Sequence, residues 1–330
     1  STKYPSFFST YYPEASFVPW LNYNADRRTG FDFGVNFNKQ FGEFGLQVGV
    51  TGTYYKTKAV KRDEIYENGY QYRQGKDVDG IWGYRCLGFF ADDAEAEAYD
   101  QDALGGTNLQ AGDLKYADVN GDGKIDANDR TVIGSPMPKF TFGWTNTFRY
   151  KNIDLSIFLN GSYGNDVMNY LGINLTGMKS TWTNQLNSVG DRAQLVPIDP
   201  NKVYPAGQNW YDDITNIRVK NWQTKTPAAR LNDPNDNDRI SDRYIEDGSY
   251  LRIKNITLGY TFKKSLLKRL HLENLRVYCN IQNLHTFTKY KGYDPEVGAS
   301  TQDSSGLVYG LDYGRYPSPT TYSFGLNISF

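Results

Sequence analysis

The stretch DVNGDGKIDANDR, residues 118–130, places oxygen-bearing side chains at the spacing of a calcium-binding loop. Such a loop supplies ligands from its first, third, fifth, seventh, ninth and twelfth positions, and a glycine at the sixth permits the sharp turn. These ligand positions are occupied by Asp118, Asn120, Asp122, Lys124 (through its backbone carbonyl), Asp126 and Asp129. The spacing therefore predicts a site for Ca²⁺, or less readily Mg²⁺. Its affinity should be modest, because Asp at the twelfth position reaches the ion less well than a bidentate Glu.

The surroundings of this stretch differ from those of an EF-hand, because no helical periodicity follows it. The next residues read TVIGSPMPKFTFGWTNTFRY, which alternate in polarity and contain two prolines. The alternative interpretation is an unoccupied loop held by side-chain turns of Asp and Asn. A second acidic stretch, DPNDNDRISD at 233–242, has Asp238 where a calcium loop needs Gly and Tyr244 at the twelfth position. It predicts an ordinary turn-rich loop.

Catalytic patterns are not found in the sequence. The two histidines, His271 and His285, lie in no H-E-x-x-H motif, and no G-x-S-x-G or G-x-x-x-x-G-K pattern is present. Adjacent acids such as Asp92/Asp93 and Asp212/Asp213 could serve a glycosidase, but in Gly- and Asn-rich loops they are usually solvated. The sequence predicts that the chain is not an enzyme.

The composition excludes some partners and emphasises aromatic residues. The 330 residues carry a formal net charge of −1, so no nucleic-acid partner is expected. Tyr, Phe and Trp number 27, 18 and 6, and there are 32 glycines. The two cysteines, Cys86 and Cys279, are too few for a disulfide framework, and we expect two unpaired thiols.

Hydropathy alone does not decide whether the chain meets a membrane. No window approaches the roughly 18 consecutive apolar residues of a membrane-spanning helix, and the mean hydropathy of −0.64 is that of a polar chain. A transmembrane strand needs only about ten residues with one face toward lipid, so its other face can be polar. The chain starts at Ser1 without a signal peptide, which fits either a processed protein or a fragment.

Alternating polarity predicts long strands in several parts of the chain. The clearest is a hairpin in which Phe31, Phe33, Val35 and Phe37 share one face before a turn near Gly42. We predict strands at 31–38, 46–54, 140–150, 153–163, 250–262, 274–287 and 321–330, with weaker candidates at 16–24 and 81–90. The opposite faces are rich in Thr, Gly, Asn and Ser, as expected for a surface that faces water.

Long segments without strong periodicity separate these strands, mainly at 57–80, 91–138 and 163–249. Short turns on one side and long loops on the other are typical of outer-membrane barrels, in which the short turns are periplasmic and the long loops extracellular. A soluble β-sandwich is the alternative, but it usually has shorter strands with turns every ~8–12 residues. The pattern predicts an all-β fold, an antiparallel transmembrane β-barrel. The loops are too large for a small barrel, so the chain is expected to be part of a larger one.

Several segments resemble the SusC/RagA-like TonB-dependent transporters of the Bacteroidetes outer membrane. They occur in the family's order and read GDLKYADVNGDGKIDANDRTVIGSPMPKFTFGW, SDRYIEDGSYLRIKNITLGYTF, NIQNLHTFTKYKGYDPE and YPSPTTYSFGLNISF. The resemblance implies that residues 1–330 are the C-terminal part of one plugged barrel domain of about 22 strands. It also implies that the plug domain, the TonB box and the first strands lie outside this chain.

The resemblance further implies energy-coupled import of glycan or peptide fragments across the bacterial outer membrane. The expected partners are the remainder of the transporter, a SusD-like surface lipoprotein that acts as a lid, TonB, and outer-membrane lipid. The competing hypothesis is a secreted, calcium-stabilised glycan-binding module with a dockerin-like loop. Glycan and peptide are not distinguished by the sequence.

Aromatic residues in the long segments are candidate substrate contacts, because flat rings can stack on sugar faces. They are Trp82, Tyr84, Trp182, Trp210, Tyr211 and Trp222. The alternative is that they belong to the aromatic girdles of a barrel. The C-terminal Phe330 ends an apolar strand and resembles the signal that the barrel-assembly machinery reads; the alternative is packing in a soluble core. We expect the last strand to pair with 274–287 on one side and with residues outside this chain on the other.

Overall fold

The structure, a computed structural model, describes residues 2–3, 20–21, 24–62, 64, 68–78, 80–101, 104, 109–303 and 306–330. Its main element is one antiparallel sheet of seven strands in chain order. The strands are β1 Ala25–Phe41, β2 Phe44–Lys61, β3 Phe140–Tyr150, β4 Ile153–Tyr163, β5 Tyr250–Thr261, β6 Asn274–Thr288 and β7 Thr321–Ser329. All seven strands predicted from alternation are confirmed, and the last one pairs with β6 as expected.

One of the two weaker candidates differs from the prediction. Residues 81–90 hold two short strands outside the main sheet, Ile81–Gly83 and Cys86–Phe89, so the prediction of one strand there was wrong. The run is broken because Arg85 separates two different pairings, with 131–134 and 114–116. Most of 16–24 lies outside the described residues; Trp20–Leu21 pairs with Thr2–Lys3.

The connections alternate in length, as predicted. Residues 42–43, 151–152 and 262–273 join strands at one end of the sheet, and Gly42 makes the first turn with a φ of +59°. At the other end lie three long connections: L1 (62–139), L2 (164–249) and L3 (289–320). Because consecutive strands are antiparallel, L1, L2 and L3 all emerge from the same end of the sheet.

The long connections contain short elements of their own. Besides the two already given, their strands are Leu114–Tyr116, Thr131–Gly134, Asp166–Asn169, Leu195–Pro197, Ile217–Val219, Ile245–Asp247, Ala299–Asp303, Gly306–Tyr309 and Leu311–Asp312. Helix α1 is Asp93–Glu97, α2 is Tyr170–Thr176, and α3, in the connection 262–273, is Lys264–Leu267. No helix in the described part of the chain is long and apolar enough to cross a membrane.

The register of the sheet gives it two different faces. One row of mutually paired residues runs across all seven strands as Phe41, Phe44, Tyr150, Ile153, Tyr260, Val277 and Leu326. A row on the opposite face runs as Asn38, Gln47, Thr147, Ser156, Thr257, Asn280 and Ser323. Period-two alternation in every strand, combined with this register, therefore separates an apolar from a polar face.

Long side chains on the polar face lie over glycines of neighbouring strands. Arg276 on β6 reaches across Gly259 on β5 to Asp154 on β4, with Nη2 2.6 Å from Oδ2. A Cβ at Gly259 would lie 2.4 Å from Arg276 Nη2 and 2.6 Å from Asp154 Oδ1. Glycine at this position is therefore required for the ion pair to span three strands.

A buried arginine fastens L3 to the polar face. Arg252 on β5 is 2% exposed; its Nη2 donates to Asp294, its Nη1 to Glu296 at 2.7 Å, and its Nε to Thr286 at 2.8 Å. Asp294 also accepts the backbone N–H of Ser318 at 3.1 Å. One buried cation thus joins both ends of L3 to the sheet.

Replacing Arg252 with Met in the full-length protein should release L3, because Asp294 would remain buried without its cation. Breaking a buried pair costs about 3–5 kcal/mol. Hydrogen–deuterium exchange at the amides of Glu296 and Ser318 should accelerate by more than about a hundredfold.

Lys254→Met is the matched control, since Lys254 contacts the same Glu296 at 3.4 Å but is partly exposed. An exposed pair contributes less than about 1 kcal/mol, so this variant should exchange nearly as the wild type does. Equal exchange in the Arg252 and Lys254 variants would contradict the role of Arg252.

Candidate ligand-binding site

A fully buried carboxylate, Asp113, joins L1 to L2. Its Oδ2 accepts from Arg230 and Asn235, and its Oδ1 accepts from Asn237 Nδ2 at 3.0 Å. The N–H of Leu114 donates in return to Asn237 Oδ1 at 2.6 Å. The guanidinium of Arg230 therefore balances the charge of Asp113, and two amides from one short segment of L2 donate hydrogen bonds to it.

That segment is the acidic stretch 233–242. Its turns are confirmed, with positive φ at Asp233 (+43°) and Asp236 (+49°). However, Asp233, Asn235 and Asn237 are buried, and Asp233 Oδ1 accepts from Asn237 Nδ2 at 2.7 Å. The stretch is a buried polar junction between the two connections, which its spacing did not indicate.

Apolar clusters pack around this junction. One is shared by L1 and L2 and consists of Ala111, Ala193, Ile217, Val219 and Ala228. A second lies within L1 (Tyr84, Leu114, Tyr116, Ile125), and a third lies within L2 (Met168, Ile173, Tyr244). The long connections, which lack periodicity in the sequence, thus form a packed body at one end of the sheet.

A cavity of about 1000 Å³ lies between L1, L2 and L3. Its apolar lining includes Leu87 and Phe89 from L1, Leu175 and Trp222 from L2, and Tyr293 from L3. Its volume is that of a site for a small ligand or a short chain of sugar or amino-acid units. Because every long connection contributes to its wall, the cavity exists only when all three are folded together.

Charged groups of both signs also line the cavity and hold its walls in place. Asp242 Oδ1 accepts the N–H of Cys86 at 2.8 Å, which links L2 to L1. Glu246 Oε2 accepts the N–H of Lys291 at 2.8 Å, which links L2 to L3. Lys115 and Glu95, both of L1, form an ion pair at 2.5 Å.

The aromatic residues predicted to contact substrate are not gathered at one site. Trp222 lines the cavity and is 70% exposed, whereas Trp182, 94% exposed, and Tyr211 lie on the surface of L2. Trp82 lies under Arg73 and Lys76 at 5.6 and 5.3 Å from its ring.

The other two aromatic candidates pack inside the body of connections. Trp210 lies against the cluster shared by L1 and L2, and Tyr84 is buried in the L1 cluster with Arg130 over its ring. Among the six candidates, Trp222 is therefore the one that the structure places in the cavity wall. For the exposed residues, substrate contact stays a prediction.

The calcium-like stretch folds into tight turns in which carboxylates accept backbone N–H groups. Asp118 accepts from Gly121 at 2.6 Å and from Gly123 at 2.8 Å, and both glycines have positive φ. The buried Asp129 accepts from Val119 at 2.7 Å and from Asp126 at 2.8 Å. These bonds join the start of the stretch to its end.

The donor chemistry of this stretch suits Ca²⁺, because a carboxylate oxygen that accepts one hydrogen bond keeps a second lone pair. Among the described residues, no group of three or more His, Cys, Asp or Glu side chains is placed to hold a metal ion. Burial, and then the nearby carboxylates of Asp129 and Asp126, raise the pKa of Tyr70 to about 12. Calcium at this stretch stays a prediction.

The residues that shape the cavity are not recognisable from the sequence. Lys115, Asp242 and Lys291 lie far apart in the chain and match no motif. Arg252 and Asp113 were missed for the same reason. Both cysteines are free, as expected, and Cys86 lies in the cavity wall.

No family model matches the chain. The chain is 34% identical to the TonB-dependent receptor P3 of Formosa agariphila over 260 residues, which is 78% of the chain and 23% of that receptor. It is 28% identical to the TonB-dependent receptor SusC of Bacteroides thetaiotaomicron over 255 residues, 75% of the chain and 20% of SusC. The chain thus spans about a quarter of the length of these relatives.

Among solved structures, the RagAB peptide transporter has the same fold over 97% of this chain and 31% of its own, with a TM-score of 0.66 at 19% identity. The sequence and fold similarities therefore define the class: over most of its length the chain is similar to part of the TonB-dependent receptors. Within that class, the resemblance to the SusC/RagA-like proteins is confirmed. These relatives are named as receptors and transporters, not as enzymes.

Asp93 gives the body of connections a dependence on pH. The residue is 4% exposed; Oδ1 accepts the N–H of Ala111 at 2.6 Å, and Oδ2 is buried without a hydrogen-bond partner in the described residues. Burial, followed by the charges of Asp113 and Asp92, raises the pKa of Asp93 to about 6. The folded state therefore binds this proton more tightly than the unfolded state.

Stability from this group is fully present below the unfolded pKa and is lost as the pH rises through 6. Lowering the pH from 7.5 to 5 should raise the opening free energy around Ala111 by about 1.4 kcal/mol, measured by exchange corrected for intrinsic rates. Asp93→Asn should remove most of this dependence. Glu97→Gln, an exposed change on the same helix, should keep it; an unchanged pH dependence in Asp93→Asn would contradict the assignment.

Proposed function

We propose that this chain forms part of the barrel wall, together with the packed long connections, of an energy-coupled outer-membrane importer of peptide or glycan fragments. The observation that carries the proposal is the apolar face of the seven-stranded sheet, which is exposed to the surroundings. Phe324 on β7 is 84% exposed, and Phe31, Val35 and Tyr322 are each more than half exposed. Soluble proteins rarely leave so continuous an apolar surface in water.

The exposed apolar face suits a lipid environment. Its strands have 9 to 18 residues, and a transmembrane strand needs about 9–11. The polar face would then line the interior of the barrel, where Thr, Asn and Ser side chains meet water or a plug. The competing hypothesis, a secreted glycan-binding module, does not explain this face, because a secreted protein would expose it to water.

The body formed by L1, L2 and L3 would lie on the extracellular side, since long loops are extracellular in outer-membrane barrels. Its cavity would meet the substrate before passage through the barrel. A SusD-like lipoprotein would cover this body, and TonB would act through the plug in the remainder of the transporter. The similarity to SusC and to the RagAB peptide transporter supports this assignment.

Phe330 fits the same proposal. It follows β7 at the edge of the sheet and is 86% exposed. An exposed aromatic next to an edge strand would be accessible to the barrel-assembly machinery before the barrel closes. The free edge of β7 would then pair with the first strand of the barrel, because unpaired backbone groups in lipid cost several kcal/mol each.

Uptake by living cells tests the proposal. Cells with the full-length transporter, without it, and without TonB would be given labelled mixed-sequence peptides or labelled mixed oligosaccharides. One of the two libraries should accumulate in the periplasm only when both transporter and TonB are present. Equal accumulation of both libraries in all three strains would contradict the proposal, as would recovery of the full-length protein from the medium instead of the outer membrane.

We propose in addition that the stretch 118–129 binds Ca²⁺. Asp118, Asn120, Asp122, Asp126 and Asp129, with the Lys124 carbonyl, would supply the oxygens once some of their hydrogen bonds to backbone N–H groups give way. The ion would offset the mutual repulsion of four carboxylates and would tie down L1.

Equilibrium dialysis of the full-length protein with radioactive calcium tests this proposal. The expected dissociation constant is about 10⁻⁴–10⁻³ M, the range of weak extracellular sites. Asp118→Asn combined with Asp122→Asn should remove one bound ion per protein. The matched control, Asp199→Asn with Asp236→Asn, changes two acids elsewhere in the loops and should leave binding intact. Equal binding by both variants would refute the site.

A further inference from the structure

The connection 262–273 differs from the other two short turns at its end of the sheet. Those turns, 42–43 and 151–152, have two residues each and share an ion pair between Glu43 and Lys151 at 3.2 Å. The connection 262–273 instead folds into helix α3 followed by a 3-10 turn, Lys268–Leu270. It is a small folded unit, which we call the basic unit below, at the end of the sheet where the other two connections are tight turns.

Local packing fixes the shape of this unit. Leu267 is buried, and its carbonyl accepts the N–H of Leu272 at 3.1 Å. His271 ends the turn in the left-handed conformation with a φ of +56°. The exposed side chains are therefore held on a defined backbone.

Those exposed side chains are basic. Lys263, Lys264, Lys268 and Arg269 all face solvent, as does His271, and no Asp or Glu occurs between residues 263 and 272. Within the described part of the chain, none of the four cations forms an ion pair. The unit concentrates positive charge in a chain whose net charge is only −1.

The basic unit adjoins the apolar face. Tyr260, a member of the apolar row, contacts the ring of Phe262 edge-on at 5.0 Å, and Phe262 leads directly into the unit. Leu266 is 46% exposed among the cations. At a membrane interface, a protein surface changes from apolar side chains at the hydrocarbon to aromatic and then basic side chains at the headgroups. Tyr260, Phe262, Leu266 and the cations form such a transition.

We propose that Lys263, Lys264, Lys268 and Arg269 form a binding site for the phosphate headgroups of anionic phospholipids in the membrane leaflet nearest the short turns. This site rests on the proposed membrane location of the sheet. Charge complementarity and continuity with the apolar face select a lipid headgroup over an acidic protein, because the neighbouring Tyr260 and Leu266 would contact acyl chains. The cations would anchor this end of the wall at a fixed depth.

Spin-labelled phosphatidylglycerol tests the site in the full-length transporter, reconstituted into phosphatidylcholine vesicles. Electron paramagnetic resonance measures the fraction of label that the protein immobilises, relative to spin-labelled phosphatidylcholine. The wild type should prefer phosphatidylglycerol, and the preference should weaken at high salt. The neutral variant with all four cations replaced by Gln should lose the preference, since each basic residue near an anionic surface adds roughly a fivefold gain.

Two further variants make the outcome specific. A charge-retaining variant, with the three lysines changed to Arg and Arg269 to Lys, should keep the preference. A matched control neutralises four exposed cations of the long connections: Arg85, Arg192, Arg218 and Lys220. It should keep the preference as well.

The results separate this site from the proposed function. A wild type that does not insert into vesicles would overturn the membrane proposal and the headgroup site together. Insertion with no preference for phosphatidylglycerol, or with the same preference in the neutral variant, would overturn the headgroup site alone. If the neutral variant keeps the same preference, and an acidic protein binds the wild type but not the neutral variant, the unit would be assigned to a protein partner.

Discussion

Backbone pairing between seven long antiparallel strands fixes which side chains can meet in this protein. The register joins one residue from every strand into each row, so the polarity of a whole row is decided together. A shift of one residue in any strand would turn its apolar side chains to the polar face. Both the exposed apolar face and the polar face opposite depend on this single constraint.

The polar face carries the side chain that attaches L3 to the sheet. Arg252 and the ion pair between Arg276 and Asp154 are built on strands β4, β5 and β6. Arg252 holds L3, and L3 in turn contacts L2 through Lys291 and Glu246. The sheet thus positions L3, and through it L2, by charge-assisted hydrogen bonds, which are stronger than those between neutral groups.

Buried polar groups and a small apolar cluster together hold L1 against L2. The cluster shared by the two connections consists of three alanines with Ile217 and Val219, and Asp113 and its partners lie at the same contact. Buried polar networks contribute to a unique arrangement when all their members are paired, and they are sensitive to a missing partner.

The strands were determined by the sequence itself, because alternation is local. Phe31, Phe33, Val35 and Phe37 predict the apolar face of one strand without any information from the rest of the chain. The calcium-like spacing of Asp118, Asn120 and Asp122 is equally local and was readable, as were the short and long connections. The cavity was not, because Lys115, Asp242 and Lys291 come from three connections and meet only through tertiary contacts. Nor could the sequence distinguish the buried Tyr84 from the exposed Trp222, since burial in a loop depends on which distant segment covers it. Period and spacing are properties of neighbours in the chain, whereas the environment of a charge or a ring is a property of neighbours in space.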